Sequence, residues 1–380
     1  MEKYIYADKF FFTTQEKGAG YLEIRPDGTF GQYTEQKPKA EIIDYSGYYI
    51  APGLVDTHIH GYAGADVMDN DSQGLKIMSE ALLSCGVTSF LPTTLTASTE
   101  QLDAVCQTVG QTQVQGAKIK GIFLEGPFFN EKYKGAQNPN YMCDPSIDKL
   151  DKWQQLSNGL VNKIALAPER DGAIAFIEHA KKQDVYVAIA HTDATYEQAK
   201  AAVDAGASIF VHVYNGMRGL HHREPGVVGA ALNCKGVHDE LICDGHHVHP
   251  VSAKIVMDCN GRENAVLITD CMAAGGQAEG DYKLGELDVI VKDGTARLKD
   301  SGSLAGSILK LYQAVQNVIH WGIAEPFEAY RMASYNAAKS VGIEKECGAL
   351  DEGYPADFIV VTRDYDIHAT YLDGVKRYTK

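Results

Sequence analysis

No stretch of the 380 residues reaches the ~18 consecutive apolar side chains that a membrane-spanning helix needs. The opening segment mixes Glu, Lys and Asp with aromatics, so neither a signal peptide nor an anchor is expected there. Positive charge is also short: 35 Lys and Arg stand against 50 Asp and Glu, a formal net charge of -15. No basic field is present to attract nucleic acid or an anionic membrane surface. The cysteines at 85, 106, 143, 234, 243, 259, 271 and 347 form no C-x-x-C pair, and a chain of this length does not depend on disulfide staples. No G-x-G-x-x-G fingerprint follows any apolar run and no Walker sequence occurs, which argues against an open nucleotide-binding sheet. Internal repeats and low-complexity linkers are missing as well. The expectation is a cytoplasmic protein with reduced thiols and a small-molecule partner. An anionic substrate would need a local cationic cluster, and His221, His222 and Arg223 form one.

What is present is enough apolar material, 45% of residues, for a large core. Eight apolar, β-branched runs predict strands: 50–57, 87–91, 119–125, 161–167, 185–191, 208–213, 240–243 and 265–270. Between them, segments such as 72–85, 98–109, 172–183 and 195–205 have helical spacing and begin with capping residues. Eight strands, each followed by a helix, predict an α/β chain folded as a (β/α)₈ TIM-like barrel. The two ends read differently. Short aromatic runs broken by turns such as Asp27-Gly28, and a hairpin signal at Leu372-Asp373-Gly374, predict a small β-sandwich domain built from both termini. The expected division is residues 1–50 with 346–380 as the β domain and 51–345 as the barrel.

Barrel enzymes place their chemistry at the C-terminal ends of the strands. The first run ends in His58-Ile-His60, the third in Glu125, the fifth in His191, the sixth near His212 and the eighth in Asp270. Alternation along an extended chain puts His58 and His60 on one face, where both rings can reach one ion. Taken alone, His-x-His could be a chance surface pair, Glu125 a surface acid, and His191 or His212 a satisfied core histidine. Convergence on one rim favours a divalent metal site. Asp270 closes a fully apolar run, and its ordinary reading is a turn former. In a metal hydrolase an acid there takes a proton from the attacking water and passes it to the leaving nitrogen.

At these residues the chain resembles the amidohydrolase superfamily and, within it, the N-acetylglucosamine-6-phosphate deacetylases. The resemblance runs almost end to end. It is carried by Pro52-Gly-Leu-Val-Asp-Thr-His-Ile-His-Gly61, Leu124-Glu-Gly-Pro-Phe128, Lys134-Gly-Ala-Gln-Asn-Pro139, His212-Val-Tyr-Asn-Gly-Met217, His222-Arg-Glu-Pro-Gly226, Asp244-Gly-His-His-Val248, Ile268-Thr-Asp270, Leu304-Ala-Gly-Ser307 and Gly353-Tyr-Pro-Ala-Asp357. It implies metal ligation by Glu125, His191 and His212, with Asp270 as general base and then general acid. It implies that Asn215, Gly216, Arg223 and His247 hold a sugar phosphate, while Ala136, Gln137, Leu304, Ala305 and Gly306 line an acetamido pocket. It also implies a homodimer, with Arg223 reaching the neighbouring subunit's site. Members with His-x-His, as here, can hold two ions, those with Gln-x-Asn one, so one or two ions of Zn, Fe or Mn are expected, the second at His58 and His60. Gln137 departs from relatives that place a carbonyl-polarising histidine there.

The implied reaction is hydrolysis of the acetamide of N-acetyl-D-glucosamine 6-phosphate to acetate and D-glucosamine 6-phosphate. Two other readings stand beside it. One is an amidohydrolase of the same barrel acting on another N-acetyl amino sugar phosphate or a cyclic amide. The other is a non-catalytic metal protein that binds a sugar phosphate.

Overall fold

The computed structural model describes residues 3–380. Its centre is a ring of eight parallel strands: Leu54–Ile59, Val87–Pro92, Ile122–Phe128, Val161–Leu166, Tyr186–Ile189, Ile209–Phe210, His238–Leu241 and Ala265–Leu267. Each pairs with the next, the second and third meeting through a bridge from Thr93 to Phe123. A parallel bridge between Ile59 and Cys271 closes the eighth strand's end onto the first. Nearly every residue of these strands is buried, which is why they read as unbroken apolar runs rather than alternating ones.

A helix follows every strand: Ser72–Leu82, Thr99–Gln111, Ile147–Leu156, Ala173–Lys181, Tyr196–Ala205, Gly226–Asn233, Pro250–Asn260 and Leu311–His320. Several start where a side chain accepts the orphan backbone N–H groups of the first turn, as do Asp71, Ser98, Ser146 and Thr195. Thr195 with Gln198 forms a reciprocal capping box. The eight expected strands are all present. The differences lie at their ends, because the fifth, sixth and eighth stop before His191, His212 and Asp270, leaving these on the loops. The third runs on past Glu125 to Phe128 through a register shift instead of stopping there.

One element was not anticipated. Between the eighth strand and its helix lies a three-stranded antiparallel sheet, Gly280–Leu284, Leu287–Lys292 and Thr295–Leu298. The turn residues Gly285 and Asp293-Gly294 separate its strands, all at positive φ.

The chain ends form one curled eight-stranded sheet. Lys3–Phe11 pairs in parallel with Glu41–Pro52, which pairs in turn with Phe358–Val361, followed outward by Ile367–Leu372 and Val375–Thr379. The sheet bends until Thr29 meets Pro355. Inside it, Phe358 stacks on Tyr371 with ring centres 4.2 Å apart and lies 5.9 Å from Phe30. The buried Tyr45 and Tyr371 hydroxyls share a 2.6 Å hydrogen bond. This cluster of side chains is separate from the barrel's core. No helix among the described residues is long and apolar enough to cross a membrane.

Replacing Phe358 with Ala removes a fully buried ring from the second cluster and should cost about 3–5 kcal/mol. A thermal melt should show the loss, while the metal content of the folded protein at 20 °C stays that of the unchanged chain; a fall in bound metal would mean the two cores are not separable.

Candidate metal centre and cavity

Glu125, buried at 2% exposure, is the hub around which the imidazoles gather. Its Oε1 lies 3.3 Å from His191 Nε2, 3.2 Å from His212 Nε2 and 3.4 Å from His58 Nε2. Its Oε2 lies 3.3 Å from His60 Nε2. Asp270 Oδ1 faces the same centre from the loop after the eighth strand, 3.1 Å from His60 Nε2 and 3.4 Å from His58 Nε2. Two overlapping groups have ligand atoms close enough to surround an ion: His58, His60 and Glu125, and Glu125, His191 and His212.

The rings are turned for this purpose by the backbone. His191 donates its Nδ1–H to the Tyr133 carbonyl at 2.9 Å, His212 to the Asn215 carbonyl at 3.1 Å and His60 to the Thr93 carbonyl at 3.2 Å. A carbonyl accepts only, so the proton sits on Nδ1 and each Nε2 lone pair points inward. At these three rings nitrogen lone pairs and carboxylate oxygens therefore face one another at 3.1–3.3 Å. Such a set is stable only around positive charge, and mixed imidazole and carboxylate donors suit a divalent ion. The titration of the ion-free cluster agrees. Burial alone would lower both rings, but the Asp270 and Glu125 carboxylates outweigh it and push His58 up to about 9 and His60 up to about 10.

Three of these residues hold backbone conformations that side chains seldom adopt: φ is 44° at His191, 32° at His212 and 51° at Asp270. Such strain persists where neighbours fix the chain. Here Asp270 N–H donates to the His58 carbonyl at 2.9 Å and its own carbonyl accepts from Ser307 at 2.7 Å. Two glycines allow the close packing. A Cβ at Gly216 would lie 2.7 Å from His191 Nδ1, and one at Gly306 would lie 2.9 Å from the Asp270 carbonyl oxygen, both at positive φ.

A cavity of about 370 Å³ opens over this centre, lined by His60, Glu125, His191, His212 and Asp270 and, further out, by Ala136, Gln137, Asn215, Gly216, His247, Leu304 and Gly306. Asn215 Nδ2 is buried with no hydrogen-bond partner among the described residues, a donor free for a ligand. His247 is steadied by Asp244, whose Oδ2 lies 2.6 Å from its Nδ1 and whose Oδ1 accepts from the His246 and His247 backbone. Leu284, from the unanticipated sheet, supplies an apolar wall.

One expected lining residue is placed otherwise, and two more make contacts of their own. Ala305 is fully buried behind the cavity wall, its N–H bound to the Ala296 carbonyl, so only its neighbours Leu304 and Gly306 reach the opening. Arg223 is exposed, 2.8 Å from His222 Nε2, and does not line this chain's cavity, whose lining includes no Lys or Arg. Gln137 lines the cavity, but its amide is already engaged: Nε2 donates to Glu125 Oε2 at 2.7 Å and Oε1 accepts from Thr96 N–H at 2.7 Å. It therefore orients Glu125 before it can serve a substrate.

Beneath the centre lies a pair that sequence reading passed over. Lys163, from the fourth strand, donates to Glu240 Oε1, from the seventh, and both are fully buried. Burial would raise the Glu240 carboxyl, but the Lys163 ammonium outweighs it and holds the group ionised. The signal was available in principle: Lys163 is the lone charge on a strand whose neighbours are almost all buried, and Glu240 stands beside Asp239 on a strand that is buried throughout.

Residues 49–376 match the model of the amidohydrolase family, and the chain belongs to that family. More particularly, it is 42% identical to an N-acetylglucosamine-6-phosphate deacetylase of Vibrio furnissii over 88% of this chain and 84% of that one. It is 40% identical to an N-acetylgalactosamine-6-phosphate deacetylase of Escherichia coli O157:H7, covering 86% of each. Among solved structures, it superposes with TM-score 0.95 and 32% identity, over the whole of both chains, on an aspartate-to-alanine variant of the N-acetyl-D-glucosamine-6-phosphate deacetylase from Mycobacterium smegmatis in complex with N-acetyl-D-glucosamine-6-phosphate.

If Gln137 holds Glu125 in its ligating pose, Gln137→Leu should weaken binding of the first Zn²⁺ by about 10–100-fold. Equilibrium dialysis against graded free Zn²⁺ measures this, and unchanged affinity would remove Gln137 from the support of the site.

Proposed function

We propose that this chain is a divalent-metal-dependent hydrolase that cleaves the acetamide of N-acetyl-D-glucosamine 6-phosphate, releasing acetate and D-glucosamine 6-phosphate. The observation that carries the reading is the position of Asp270, 3.1 Å from His60 Nε2, at the floor of the cavity where both candidate ligand groups meet. The kinship with deacetylases of this substrate over most of the chain supports the choice of amide.

Glu125, His191 and His212 would hold the first ion, and His58, His60 and Glu125 a second; Zn, Fe and Mn all accept such donors. The ion supplies acidification of water and polarisation of the acetamide carbonyl. Asp270 accepts the proton from the attacking water and delivers it to the nitrogen as the C–N bond breaks. Two carboxylates at one centre must share positive charge, and the His58 and His60 rings hold Asp270 below the usual carboxylate range against its burial. That keeps it ionised and ready to accept. The free N–H of Gln137 faces the acetamide, beside Ala136, Leu304 and Gly306. Asn215 Nδ2, the Gly216 backbone and His247 Nε2 hold the sugar phosphate.

These groups leave the phosphate without a full cation from the same chain. The reading therefore takes Arg223 from a second subunit of a homodimer, since its planar fork suits phosphate oxygens. It places the enzyme in the cytoplasm, with no nucleic acid or membrane partner. It treats residues 51–345 as the catalytic unit and 1–50 with 346–380 as its support. A second reading, the N-acetylgalactosamine epimer as substrate, is favoured by the 40% identical relative with that name. Comparing kcat/KM for the two phosphorylated sugars decides between them.

Asp270→Asn should lower kcat by about 10²–10⁴-fold while bound metal is unchanged. Near-normal turnover would remove Asp270 as the base. Arg223→Ala should mainly raise KM, by roughly tenfold or more. Refolding the two inactive or impaired chains together tests the shared site: mixed dimers carry one site with Asp270 and Arg223 both intact, so high-affinity turnover returns. No recovery on mixing would place Arg223 outside the partner's site.

A further inference from the structure

His58 differs from its three companions. His60, His191 and His212 each donate Nδ1–H to a backbone carbonyl, whereas His58 Nδ1 has no hydrogen-bond partner among the described residues. The group facing it is Glu240, whose Oε2 lies 3.5 Å away and is likewise without a hydrogen-bond partner. One buried nitrogen and one buried carboxylate oxygen, both at 0% side-chain exposure, are thus left to each other. The other oxygen of Glu240 is taken by Lys163, with Thr57 Oγ1 at 3.5 Å. Lys163 Nζ in turn sits 3.8 Å from the centre of the Phe123 ring, and that ring meets His58 edge-on at 4.9 Å. The carboxylate is fixed on one side and presented on the other.

We propose that Glu240, held by Lys163, is a positioning residue for His58, and that this contact makes the His58–His60–Glu125 group able to hold the second ion. The inference rests on the two-ion reading above. A carboxylate accepts only, so it keeps the proton of His58 on Nδ1 and leaves Nε2 free to ligate, as the carbonyls do for the other three rings. A buried carboxylate is costly, and an apolar residue would serve a purely structural role at least as well. The Lys163 ammonium offsets that cost without touching the ligand side. The Glu125–His191–His212 group has its own backbone acceptors and does not use Glu240.

The test counts Zn²⁺ by equilibrium dialysis and elemental analysis on the full chain. In Glu240→Gln the amide oxygen turns to Lys163, its NH₂ faces His58 Nδ1, and the ring's proton is driven to Nε2, where the ion should bind. The second Zn²⁺ should then bind about 10–100-fold more weakly or not at all, while the first binds as in the unchanged protein. Should that variant fail to fold, the double variant Glu240→Leu with Lys163→Met leaves no unpaired charge and should show the same selective loss. A folded variant of either kind that fills both positions at the unchanged protein's Zn²⁺ concentrations overturns the role of Glu240 and leaves the two-ion reading standing. An unchanged protein that saturates at one Zn²⁺ overturns both.

Discussion

The site exists because the barrel closes. Where Ile59 of the first strand meets Cys271 beyond the eighth, His60 N–H donates to the Cys271 carbonyl at 2.8 Å and Asp270 N–H to the His58 carbonyl at 2.9 Å. Those two bonds bring the histidine pair and the acid together, although more than two hundred residues separate them in the chain. On the other side, Thr93 binds the same strand three times over: its Oγ1 accepts from Ile59 N–H, its N–H donates to the Ile59 carbonyl, and its carbonyl accepts from His60 Nδ1. The third strand then brings Glu125 to the centre. Without closure, Asp270 would stand at the open edge of a sheet, far from His58 and His60.

Closure also concentrates cost. Histidines and acids are taken out of water, and three of the residues involved sit in left-handed backbone conformations that cost of order 1–3 kcal/mol each. The apolar clusters are arranged so that this strain is carried elsewhere. Phe358, Tyr371 and Phe30 pack in the terminal sheet, well apart from the centre, and helices capped by Asp71, Ser98, Ser146 and Thr195 brace the barrel from outside. The buried histidines and acids gather at one rim, and apolar side chains fill the other layers.

The sequence announced the ring of strands clearly, because strands buried on both faces are apolar from end to end and the helices between them carry caps. It announced His58, His60, Glu125, His191, His212 and Asp270 because each interrupts or ends such a run. Other features were hidden for physical reasons. The sheet at 280–298 is short and half exposed, so its weak alternation resembles a loop. Lys163 and Glu240 escaped notice because a charge inside a strand means little until the opposite charge is known to face it across the barrel, and that pairing is a property of the ring. The engagement of Gln137 with Glu125 and Thr96 is tertiary in the same sense. Arg223 shows the converse: its position in one chain, exposed and turned to His222, carries no trace of the phosphate that the resemblance assigns to it.

The contacts running from Lys163 through Glu240 and His58 to Glu125 and Asp270 alternate in polarity like ions in a crystal: cation, anion, a proton- or metal-bearing ring, anion. In a dry interior, neutrality has to hold locally, so no station can be altered without leaving its neighbours out of balance. Positions 58, 163 and 240 are therefore coupled through their charges. Exchanging the histidine for an amide would leave the carboxylate below it facing a neutral group, and a column of uncharged residues would restore the balance.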